Sequence, residues 1–60
     1  EDTRIEREIL ELEARQLELE GSMSRAFEKG SLREGRRLAS EVKKTRSRIE
    51  ELYARWGNLE

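Results

Sequence analysis

Apolar side chains recur through the first half of the chain in alternating steps of four and three. They are Ile5, Ile9, Leu12, Leu19, Met23 and Ala26, with Gln16 holding the one polar place in the series. This spacing keeps a single stripe of side chains turned toward a partner helix, as in a left-handed coiled coil. A second series with the same steps runs Leu38, Val42, Thr45, Ile49, Leu52, Trp56, Leu59. Each series begins near a helix-start signal. Thr3-Arg4-Ile5-Glu6 and Ser31-Leu32-Arg33-Glu34 both place a hydroxyl three residues before a Glu, the pattern of a capping box. Gly30, directly before the second box, suits the left-handed residue that ends a helix.

A stop signal followed at once by a start signal predicts a tight turn, and short connections join antiparallel neighbours. The expected fold is therefore all-α: an antiparallel two-helix coiled-coil hairpin forming a single module over residues 1–60. Helix 1 covers 3–28, or 3–20 with a short helical turn at the tip if Gly21-Ser22 breaks it. The turn lies near 29–31 and helix 2 covers 32–57. Pairing positions whose numbers sum to 61 puts Ile5 on Trp56, Ile9 on Leu52, Leu12 on Ile49, Leu19 on Val42, Met23 on Leu38 and Ala26 on Gly35. The same register sets Gln16 opposite Thr45, an expected hydrogen-bonded polar layer, and brings Glu13 near Arg46 and Glu8 near Arg55.

Composition agrees with paired helices. Charged residues make up 45% of the chain, hydrophobic residues 33%, and Pro is absent. Cys and His are absent as well, which removes disulfides, thiolate metal sites and the commonest general base. The four glycines stand alone, without a phosphate-binding pattern. Carboxylate pairs such as Glu50-Glu51 read as solvated helix surface. The expectation is a module with no catalytic residue, no metal site and no cofactor of its own. No apolar run reaches the length of a membrane span, and a cytoplasmic location is expected.

Charge is unevenly distributed. Residues 1–20 hold eight acids against three Arg, whereas residues 21–48 hold nine bases against three acids. Those bases, Arg25, Lys29, Arg33, Arg36, Arg37, Lys43, Lys44, Arg46 and Arg48, gather at the tip and the adjoining half of helix 2. Such a cluster can follow the phosphates of DNA or RNA by shape rather than by base reading. A second, shorter stripe on helix 1, Leu10, Ala14 and Leu17, offers a docking face for protein, either another domain or a second copy in a weak homodimer.

The end of the chain, Leu52-Tyr53-Ala54-Arg55-Trp56-Gly57-Asn58-Leu59, resembles the close of the C-terminal coiled-coil domain of Uup-type ABC-F ATPases. The Ile- and Leu-Glu pairs of Ile5-Glu6-Arg7-Glu8-Ile9-Leu10-Glu11-Leu12-Glu13 are similar to that domain's opening. Gly21-Ser22 and Phe27 stand where the family has Asp-Pro and Tyr, and Gly57-Asn58 where it has Glu-Glu. The resemblance implies a terminal module of a parent ATPase that uses ATP and Mg, with the module itself contacting nucleic acid. Leu52, Tyr53 and Trp56 would then be structural.

Overall fold

In the computed structural model of the protein, which describes residues 3–58, two α-helices fold back on each other. α1 spans Thr3–Glu28 and α2 spans Leu32–Asn58. The molecule is a rod of 46 × 14 × 10 Å, the width of two packed helices. No helix among the described residues is long and apolar enough to cross a membrane.

Three residues make the turn, and its hydrogen bonds explain how. Gly30 takes φ +84°, the left-handed region that favours a residue without a side chain. Its N–H donates to the Phe27 carbonyl at 3.0 Å, and the Ser31 N–H donates to the Ala26 carbonyl at 2.9 Å. These two bonds are the Schellman arrangement, which satisfies carbonyls left over at the end of α1. Ser31 then begins α2 by accepting the Gly35 N–H at 2.9 Å. Thr3, expected as a cap, is itself the first helical residue, a difference of one position.

α1 continues through Gly21-Ser22 without interruption, so the shorter alternative of a broken helix with a separate tip turn is set aside. A lone Gly costs about 1 kcal/mol in a helix interior, less than a continuous seam on either side recovers.

The buried side chains are Ile9, Ala26, Val42, Thr45, Ile49 and Leu52, with Leu52 most enclosed at 1% exposure. All lie on the two expected stripes. Leu12, Gln16, Leu19, Met23, Leu38 and Trp56 are half-buried, the most that two helices provide at a seam open on both sides. Leu59, the last member of the second stripe, lies outside the described residues.

The polar layer differs from expectation. Thr45 turns its hydroxyl to the Glu41 carbonyl of its own helix at 2.8 Å. Gln16 donates from Nε2 to Glu20 Oε2 at 3.1 Å. A threonine facing a helical seam can return its proton to the preceding turn. That is a nearer partner than a side chain across the interface.

Candidate nucleic-acid interface

The flanks of the seam decide which bases are free. Arg46 lies 3.7 Å from Glu20, the same carboxylate that accepts Gln16, so one acid ties both helices together. Arg48 bridges Glu8 across the seam at 3.4 Å and Glu51 on its own helix at 2.8 Å. The Glu51 hydrogen bond, with Glu8 adding, holds the Arg48 guanidinium above its ordinary pKa. Tyr53 donates its hydroxyl to Glu13 Oε2 at 2.9 Å, which raises the phenol above its usual value.

Thus Glu13 meets Tyr53 rather than Arg46, and Glu8 meets Arg48 rather than Arg55. The correct flanks are in contact, but each partner sits one heptad away from the expected one. Side chains on a helix lean toward its N-terminus. In an antiparallel pair the leans of Glu13 and Tyr53 converge, as do those of Glu20 and Arg46. The Glu8–Arg48 bridge does not follow from that lean and depends on the reach of a long guanidinium side chain.

Of the nine bases singled out in the sequence, the structure therefore engages Arg46 and Arg48 in ion pairs. Arg25 makes a long contact with Ser22 Oγ at 3.5 Å. Among the described residues, no ion pair occupies Lys29, Arg33, Arg36, Arg37, Lys43 or Lys44, and all six are exposed. Helical spacing sets Arg33, Arg36, Arg37, Lys43 and Lys44 on the side of α2 turned away from the seam. Glu34 and Glu41, the only acids of α2 before Glu50, stand instead at the seam's edge, one residue ahead of buried Gly35 and Val42. The outer face is thus free of acids for about 17 Å, eleven residues of helical rise.

Ser40 and Ser47 interleave with these bases and were not among the residues picked from the sequence. They floor a shallow, solvent-open depression shared with Lys43, Lys44, Arg48 and Glu51. Their signal was available, because they recur one heptad apart between the bases. A second depression, lined by Ser31, Leu32, Arg33, Glu34 and Arg37, continues the surface toward the tip.

On α1, Leu10 is 61% and Leu17 71% exposed, and Ala14 lies exposed between them, so the second stripe faces solvent. At the open end Tyr53 and Trp56 stack at a 6.1 Å centroid distance with a 31° tilt. Half-buried Ile5 and Trp56 occupy the final layer of the described seam. Comparison with family models, curated proteins and solved structures returns no match to this chain.

Proposed function

We propose that the hairpin is a non-catalytic coiled-coil module that binds nucleic-acid phosphates, DNA or ribosomal RNA, through the outer face of α2 and the tip. One observation carries this reading. Five bases of α2 project from an outer stretch, Arg33 to Lys44, where acids stand only at the margins (Glu34 and Glu51), while the bases in ion pairs across the hairpin are a different set. Charges that only balanced the coiled coil would sit along the seam, as Arg46 and Arg48 do. The Tyr53–Trp56 ending supports the further proposal that the parent is an ABC-F type ATPase. In that case ATP and Mg belong to its other domains.

The reading predicts a salt dependence. If Arg33, Arg36, Arg37, Lys43 and Lys44 each displace a counterion, log K against log salt should fall with a slope of about −4 to −5 on duplex DNA. Fluorescence anisotropy of labelled duplex DNA and structured RNA across a salt series measures it. Neutralising Arg36→Gln, Arg37→Gln, Lys43→Gln and Lys44→Gln together should flatten the slope to about −1. Arg46→Gln should alter it little. No binding at high micromolar protein in low salt, or an unchanged slope in the fourfold variant, would sink the proposal.

A second reading rests on the exposure of Leu10 and Leu17: the α1 stripe docks onto protein. Leu10→Ser with Leu17→Ser separates the two, since it removes the stripe and leaves the basic face intact.

A further inference from the structure

We infer that the outer face of α1 pairs with a second copy of this chain. The two α1 helices run antiparallel, with Leu10 over the partner's Gly21 and Leu17 over the partner's Ala14. The inference rests on reading the stripe as a docking face and is independent of phosphate binding.

Leu10, Ala14, Leu17 and Gly21 follow one another in steps of four, three and four, and all four are exposed. Large and small residues occupy the line in an order that complements itself. In an antiparallel register with numbers summing to 31, each Leu meets a small residue, and a two-fold axis repeats both contacts. Gly21 leaves the end of this line without a side chain, and a Cβ built there meets nothing within 4 Å, so the position is open to a partner's Leu. A parallel pairing would oppose Leu to Leu and leave Ala14 and Gly21 facing across gaps.

Charge selects the same direction. Residues 1–20 balance to −5, while residues 25–34 at the tip balance to +1, with Arg25, Lys29 and Arg33 against Glu28 and Glu34. Antiparallel pairing lays each acidic open end beside the other copy's weakly basic tip, whereas parallel pairing lays the two acidic ends side by side. With the lean that joins Glu13 to Tyr53 inside the hairpin, Glu11 reaches the partner's Arg25, twice by symmetry. On the other rim, Glu13 and Glu20 are already engaged by Tyr53 and Arg46. Glu18 opposes this arrangement, since it meets its own symmetry mate near the axis.

The contact is small. A strip from residue 7 to residue 25 is about 27 Å long and about 10 Å wide. That is on the order of 300 Å² per partner, against about 800 Å² in a standard interface. Association should therefore be weak, with Kd of about several hundred micromolar.

Sedimentation equilibrium of the 60-residue chain from about 10 µM to about 1 mM tests it, with circular dichroism to confirm folding of each variant. The mass should rise from 7.1 kDa toward twice that value. Leu10→Ser with Leu17→Ser should abolish the rise, and Glu18→Gln should tighten association several-fold. Gly21→Leu is the decisive variant. It adds apolar surface at a position with room for it, so unspecific adhesion would grow stronger. The proposed register instead requires a residue without a side chain opposite the partner's Leu10, and Gly21→Leu should leave a monomer. A wild-type monomer at 1 mM, or a Gly21→Leu chain that associates more tightly, overturns the inference. The wider docking reading is judged separately by the double Ser variant.

Discussion

The same substitution, Gly to Ala, should have opposite effects at two points of this molecule. Gly21 lies on the outside of α1, and a Cβ built there meets nothing within 4 Å. Gly21→Ala should therefore recover the full helix-propensity difference, about 1 kcal/mol, and raise Tm by about 4–8 °C for a chain of this size. Gly35 lies buried where α2 passes the tip of α1. A Cβ there would stand 2.6 Å from Phe27 Cζ and 2.7 Å from Cδ1, with Cε1 nearer still, so the ring must move. Overpacking of this kind costs about 1–3 kcal/mol, which cancels or exceeds the same propensity gain. Phe27 is 41% exposed and can swing outward, so the expected net effect is a loss of about 0–2 kcal/mol and not a failure to fold. A double-mutant cycle isolates the contact. With Phe27→Ala in place the obstruction is gone, and Gly35→Ala should then stabilise by about 1 kcal/mol. Urea and thermal melts followed at 222 nm, near 10 µM to exclude association, provide the measurement. A Gly21→Ala background keeps the native state populated throughout the cycle. Stabilisation by Gly35→Ala equal to that by Gly21→Ala, or an effect of Gly35→Ala that is unchanged when Phe27 is removed, would refute the clash.

Two further outcomes follow from burial and hydrogen bonding. Leu52→Ala, at 1% exposure, should cost about 2–5 kcal/mol and unfold much of the population, while Leu17→Ala, at 71%, should change the melt by less than about 0.5 kcal/mol. The Tyr53 phenol should titrate above its usual value of about 10, read as tyrosinate absorbance, and Glu13→Gln should bring it back down. Because folding raises this pKa, the bond's contribution is complete below the unfolded value and disappears as pH climbs through the folded one. A wild-type midpoint equal to that of Glu13→Gln would show that the bond is not populated in solution.

Much of the architecture was legible before any coordinates, because its signals are local and redundant. Two periodic stripes, a left-handed Gly30 and a Ser31 cap each pointed to the same midpoint, and all the buried positions fall on the expected seam. What escaped the sequence depends on side-chain direction. Glu13 and Arg46 were assigned to each other by spacing alone, yet the lean of helical side chains sends them to Tyr53 and Glu20. Gln16 and Thr45 face the seam as expected but satisfy themselves within their own helices. Phe27 could not be foreseen over Gly35, since its ring crosses the turn outside the stripe's spacing. The basic set was readable as composition. Separating Arg46 and Arg48 from the outward-facing bases required the ion pairs.

The three-residue Schellman turn has a kinetic consequence. Partners beside it, such as Ala26 and Gly35, are few residues apart along the chain, while Ile9 and Leu52 are the most widely separated of the buried pairs. Loop-closure entropy rises with that separation, so assembly should start at Gly30 and travel outward layer by layer. Melting should run the other way, like a zipper opened from its free end. Trp56 fluorescence would then respond before the amides near the turn lose their protection from exchange.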